Sequence, residues 1–140
     1  MGAILERIIR LRKLAEQRAR LEAHEAQMEQ EAQRRGLEDL AKRVADSHGS
    51  DTSDPEEVAR HHAFALRSEM NRRQRVQALE VASQRAEERR EQLLEVSRGR
   101  RVIEEVQRAE EERERVEALK KEQKELDETG IGGWWRSQER

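Results

Sequence analysis

The sequence predicts an all-α fold: two long helices in an antiparallel coiled-coil hairpin, the second overhanging the first. Three observations predict it. Asp, Glu, Lys and Arg make up 43% of the 140 residues, while 34% are apolar and 2% aromatic. A globular domain is about half apolar and a quarter charged, so this chain has too little large apolar material for a three-dimensional core. The charge is nearly balanced, at a net of -2, unlike a disordered tail of one sign. Apolar residues recur at three- and four-residue steps, which is helical spacing.

Helix 1 is expected at about 3–45. Its stripe reads Ile4, Ile8, Leu11, Leu14, Leu21, Met28 and Ala32, diluted by Arg18 and Glu25. Past Gly36 it resumes in a shifted phase with Leu37, Leu40 and Val44. Residues 46–54, rich in Ser, Asp, Gly and Thr, mark a loop. Asp54 is placed to cap the next helix, Pro55 suits its first turn, and Glu56 and Glu57 suit the positive end of its dipole. Helix 2 follows at about 55–128. Its stripe reads Val58, His62, Ala65, Met70, Val76, Leu79, Ala86 and Leu93, then Val102, Val106, Ala109, Val116, Leu119 and Leu126. These are coiled-coil spacings with stutters, and a narrow seam favours a helix pair over a bundle. Residues 129–140 hold three glycines in four positions and then Trp134-Trp135, so they are expected to leave the helix as a flexible tail.

A short connection packs two helices antiparallel. Folding near Ser50 would set Ile4 beside Ser97 and leave helix 2 alone for nearly 30 residues, roughly 40 Å at about 1.5 Å per residue. Glu–Lys and Glu–Arg pairs four residues apart, such as Glu104–Arg108, Glu111–Arg115 and Glu117–Lys121, each support that stretch by about 0.2–0.5 kcal/mol. They leave Val102, Val106, Val116 and Leu119 as an apolar line without an intrachain partner. Residues 1–20 are net basic and residues 101–128 net acidic. Both belong to the pole where the termini meet, and a partner is expected there.

Other classes find little support. No P-loop, nucleophile elbow or metalloprotease motif is present, so no enzyme activity and no cofactor are expected. Adjacent His61 and His62 point about 100° apart on a helix and do not converge on one ion. Arg72-Arg73, Arg89-Arg90 and Arg100-Arg101 are interleaved with acids, which argues against nucleic-acid binding. No Cys and no apolar run of membrane-span length occur, and the start lacks signal-peptide character; a cytoplasmic location is the simplest expectation.

The run Val116-Glu117-Ala118-Leu119-Lys120-Lys121-Glu122-Gln123-Lys124-Glu125-Leu126-Asp127-Glu128 resembles the end of the flagellar export protein FliJ family. The layout agrees over nearly the whole chain: similar length, a shorter first helix, a longer second one and an apolar, basic start. The Gly-Ile-Gly-Gly-Trp-Trp tail departs from that pattern. The resemblance implies an antiparallel coiled coil similar to the central stalk of rotary ATPases. It further implies insertion of the terminal pole into the hexameric flagellar export ATPase, with promotion of ring assembly and ATP hydrolysis. Contacts with the cytoplasmic domain of the export gate and with export chaperones follow, peripheral to the cytoplasmic face of the inner membrane. On this reading Ile4, Ile8, Leu11, Val106, Val116, Leu119 and Leu126 contact the ring, and Leu37, Leu40, Phe64 and Leu66 face the gate or chaperones. The chain alone is then expected to be a monomer. The alternatives are the equivalent stalk of a virulence type III injectisome, a homodimeric structural coiled coil, and a membrane-surface tether using the amphipathic start.

Overall fold

The computed structural model describes residues 2–47 and 53–139. It consists of two helices packed against each other, α1 (Gly2–Ser47) and α2 (Pro55–Gln138), with no strand among the described residues. The start of α2 is built as its sequence predicts. The Asp54 carboxylate accepts from the Glu56 backbone N–H at 3.2 Å, the Asp54 carbonyl takes the Val58 N–H at 3.0 Å, and Glu56 and Glu57 occupy the first turn. Helix α1 runs two residues past the expected 45, and the Ser47 hydroxyl closes it by donating to the Val44 carbonyl at 2.7 Å. The centre of the expected loop, and with it the fold point at Ser50, lies outside the described residues.

The expected tail is corrected. Helix α2 continues through Gly130, Gly132 and Gly133 to Gln138. Each glycine costs a helix about 1 kcal/mol relative to Ala, but extending an existing helix avoids the larger cost of nucleation. No described glycine has a positive φ. The Thr129 hydroxyl donates to the Glu125 carbonyl, Arg136 Nε to the Gly132 carbonyl, and the Ser137 hydroxyl to the Trp134 carbonyl, tying side chains to the last turns.

The chain divides into two compact units. The central unit is Leu14–Ser97, and the terminal unit combines Met1–Lys13 with Arg98–Arg140. In the central unit the inward residues of α1 are Glu16, Ala19, Ala23, Ala26, Gln30, Gln33, Leu37, Leu40, Val44 and Ser47. Those of α2 include Arg75, Leu79, Ala82, Ala86, Arg89, Leu93 and Val96. Both sets step by alternating threes and fours, an unbroken seven-residue repeat rather than the expected stutters. The reason for the difference is chemical. Large apolar residues of the expected stripe, among them Leu14, Leu21, Met28 and Met70, are exposed. The seam instead mixes alanines, which let the helices approach, with Leu37, Leu40, Leu79 and Leu93 and with long polar side chains whose ends reach out or across.

Polar contacts across the central unit set its register. Gln30 Nε2 donates to Ser83 Oγ at 3.1 Å, Ser97 Oγ donates to Glu16 Oε1 at 3.2 Å, and Arg89 pairs with Glu22 at 3.0 Å. Glu16 is 4% exposed and also takes a 2.8 Å ion pair from Arg20. Gly36 lies under the Arg75 guanidinium, where any Cβ would collide with Nη1. Glu16 thus occupies the place beside Ser97 that was expected for Ile4, a shift of about three helical turns. The shift arises because residues 55–67 of α2 are all exposed. The first buried residue of α2 is Ser68, after His61, Phe64 and Ala65 have lined a groove with the end of α1, so the pairing is not symmetric about Ser50.

Candidate functional site

The terminal unit holds the first group of expected contact residues. Its seam is short: Leu5 and Ile9 of α1 turn inward, with Arg100, Ile103, Gln107 and Glu110 of α2. Ile9 lines a small groove with Gln107, and Arg12 Nη1 lies over Gly99, 3.1 Å from where a Cβ would stand. Ile4 and Ile8 precede the inward Leu5 and Ile9 of α1 by one residue, and Leu11 stands three residues past Ile8 on the same face, just before Arg12, whose guanidinium lies over Gly99. Val102 and Val106 likewise precede Ile103 and Gln107 of α2 by one residue. On antiparallel helices, positions displaced in the same sense from the seam fall on the same side of the pair. These five residues therefore share one flank. Ile4, Leu11, Val102 and Val106 are 65%, 60%, 56% and 48% exposed, and Ile8 is half-buried. The expected line on α2 thus joins the expected line on α1, but beside the seam and not within it.

Beyond Glu110, every described residue of α2 is exposed except Gly132. Val116, Leu119 and Leu126 lie on this bare segment, as expected, followed by Ile131, Trp134 and Trp135. The two indoles meet edge to face, with ring centroids 5.2 Å apart. Ion pairs stiffen the segment: Glu112 takes both Arg115 Nε, at 3.1 Å, and Nη2, at 2.6 Å, while Arg113 reaches Glu110 at 3.3 Å. Arg115 thus turns to Glu112 instead of the expected Glu111. This bidentate hydrogen bonding, reinforced by the Arg115 charge, holds the Glu112 carboxyl below its usual range and raises Arg115.

The second group lies in the central unit. Leu37, Leu40 and Phe64 line an apolar groove of about 590 Å³ with Ala41, Val44, Ala45, Ala65 and Val76. Small residues at 41, 45 and 65 open this space between bulkier neighbours. Leu66, expected in the same group, does not line the groove and stands 57% exposed. Its helical position, two residues from Phe64, turns it to the other side of α2. The groove edge carries Glu69 and Arg72, paired at 2.6 Å, with Arg73 at 3.4 Å from the same carboxylate. The Arg72 hydrogen bonds, chiefly, draw the Glu69 pKa down to about 2.

Sequence reasoning missed Val44, Ala45 and Val76 as groove residues, and it placed Val102 on the unpartnered line without naming it among the contact residues. Val44, Val76 and Val102 stood in its stripes, but a stripe alone does not say which neighbours splay. Among the described residues no cluster of three His, Asp or Glu side chains is placed to hold a metal ion, and no helix is long and apolar enough to cross a membrane.

Comparison with known proteins adds one finding. The sequence model of a single family, described as the flagellar FliJ protein, matches residues 1–139. No curated protein and no solved structure gives a significant match.

Proposed function

The chain belongs to the flagellar FliJ protein family, a family of flagellar export-related stalk proteins, and from that premise we propose how it works. It is a non-enzymatic central stalk whose terminal unit inserts into the hexameric export ATPase, promoting ring assembly and ATP hydrolysis. The observation that carries this reading is the bare segment of α2: a helix stiffened by its own ion pairs that still exposes Val116, Leu119 and Leu126. Burial of such side chains against a partner stabilises by about 25 cal/mol per Å² of apolar surface. The flank formed by Ile4, Ile8, Leu11 and Val106 continues the same contact.

The groove at Leu37, Leu40 and Phe64 is the second contact, for the cytoplasmic domain of the export gate or for export chaperones; exposed Leu66 extends it around α2. The chain then works at the cytoplasmic face of the inner membrane, held there by the export apparatus and not by a span of its own. The family match supports a flagellar system over an injectisome.

The test is ATP hydrolysis by the flagellar ATPase of the same genome, with the full chain and with a chain ending at Glu110. Stimulation and ring assembly by the full chain alone are expected. Equal stimulation by both forms, or by neither, overturns the assignment of the ring contact to the bare segment.

A further inference from the structure

The seam of the central unit ends on α1 before it ends on α2. The bonds of Gln30 to Ser83 and of Ser97 to Glu16 set the layers, so that Ala26 meets Ala86 and Ser47 comes beside Ala65. Backward from Ser68, the seven-residue repeat of α2 falls on Ala65, His61 and Val58. Residues 55–67 are exposed all the same, and Val58 is 51% exposed. Residues 55–64, about 15 Å of helix, therefore lie in seam phase beyond the last layer of α1. The observed layers also leave a polar group unmatched: Arg75 Nε is buried without a hydrogen-bond partner.

We propose that the hairpin has a second register, reached when α1 slides by one seven-residue repeat, about 10 Å, toward the start of α2. A whole repeat keeps both stripes facing each other, whereas a shorter slide turns them out of phase. In the second register Ser47 covers Val58, and Leu40 settles on the small Ala65. Gln30 comes opposite Arg75, and its side-chain carbonyl accepts from the orphaned Nε. The buried Glu16 comes opposite Arg89, a cation in place of a hydroxyl. A slide the other way takes Val44 to Arg75 and leaves residues 55–71 of α2 without α1, so it matches nothing new.

Polar contacts select the observed register: Gln30 with Ser83, Glu16 with Ser97, Glu22 with Arg89, and the Arg75 guanidinium over Gly36. Gly36 is the most specific of these, because a Cβ there would collide with Arg75 Nη1. In the second register position 36 faces the small Ser68 instead. Since α1 is one helix, the slide also draws its first turns back along α2 in the terminal unit. The bare segment then starts near 104 instead of 111, while the groove at Leu40 and Phe64 is repacked. The register thus links the two contact sites of the chain. That link rests on the reading of those sites given above; the second register itself does not.

The chain has no cysteine, so disulfide closure in a dilute redox buffer reads the register directly. One cysteine stays at position 86. Ala26→Cys with Ala86→Cys reports the observed register, Ala19→Cys with Ala86→Cys the second, and Gln33→Cys with Ala86→Cys a slide the other way. A pair out of register is offset by about 10 Å, beyond the roughly 7 Å between Cα atoms that a disulfide spans. Closure should be strongest for 26–86, weaker for 19–86 and weakest for 33–86. Adding Gly36→Ala should raise 19–86 closure about fivefold relative to 26–86, the effect expected when one modest contact is lost. The chain closed at 19–86 should keep its helicity in circular dichroism and exchange its amides faster over residues 104–110 than the chain closed at 26–86. Equal closure of 19–86 and 33–86 overturns the proposal, because it shows loose helices and not a second register. So does a Gly36→Ala change that leaves 19–86 closure unaltered, or equal exchange over 104–110 in the two closed chains.

Discussion

The same helix α2 does two different things. In the central unit it lies against α1 through alanines, with Ala82 and Ala86 at 6% and 4% exposure, and with Ser83, Arg89 and Ser97 bonded across. In the terminal unit, beyond Glu110, every described residue of it but Gly132 is exposed. Composition does not explain the contrast, for both parts carry large apolar residues: Leu79 and Leu93 turn inward in the packed part, while Leu119 and Leu126 stand bare. The difference teaches that size matters less here than approach distance. Alanine lets two backbones come together and surrounds itself with neighbours, while Leu119 or Leu126 needs a partner surface from elsewhere. The central unit is therefore the place where substitutions should change stability, and the terminal unit the place where they should change association.

The largest expected effect tests the terminal side. Leu119→Glu with Leu126→Glu should abolish stimulation of the export ATPase while the urea midpoint stays within error, because neither residue is packed within the chain. A drop in the midpoint would break the comparison. Next, Leu40→Ala removes a side chain only 6% exposed at the floor of the groove. A loss of about 2–3 kcal/mol in urea unfolding is expected, the low end for such changes, because the groove already relieves part of the packing. Ala86→Leu should cost about 1–3 kcal/mol by forcing the helices apart, whereas the same change at Ala118 of the bare helix should be near neutral. Equal costs at the two positions would contradict the contrast.

A smaller effect concerns charge at the groove edge. The folded-state pKa of Glu69 is depressed to about 2 from 4.5, so its contribution is complete above about pH 4.5. It fades as pH falls from there toward 2. Helicity followed by circular dichroism should therefore decline over that window, and Glu69→Gln should make the decline shallower. At this exposed position the amplitude is small. An unchanged pH profile in the variant would show that the Glu69–Arg72 pair is not formed in solution.

Part of this was legible in the sequence. The Asp54-Pro55-Glu56-Glu57 start was, because capping is local chemistry. The two-helix fold was, because charge and helical spacing left no alternative core. The seam was not. Helix α1 carries two rows at seven-residue spacing, one through Leu14, Leu21 and Met28 and one through Ala19, Ala26 and Gln33. The bulkier row drew the reading, but the small row is the one that packs. Register failed for a related reason: the exposed first turns of α2 displaced the pairing from the fold point, and no local signal marks where pairing begins. The glycines at 130, 132 and 133 misled because their cost was weighed without the long helix already in place. Of the candidate sites, the bare segment was visible as helix without a partner. The groove was half visible, since Phe64 and Leu40 stood out while its small lining residues did not.

Hydrogen exchange tests the central claim most directly, the claim that residues 111–138 are a helix completed only by a partner. It should be followed on the chain at a concentration where sedimentation finds the monomer, with and without the flagellar ATPase. The account predicts fast exchange there in the free chain, slow exchange across the seam from Glu16 to Leu40, and strong protection of 111–138 once the ring is added. Protection of those residues in the free monomer, or a ring that leaves them unprotected, would contradict it.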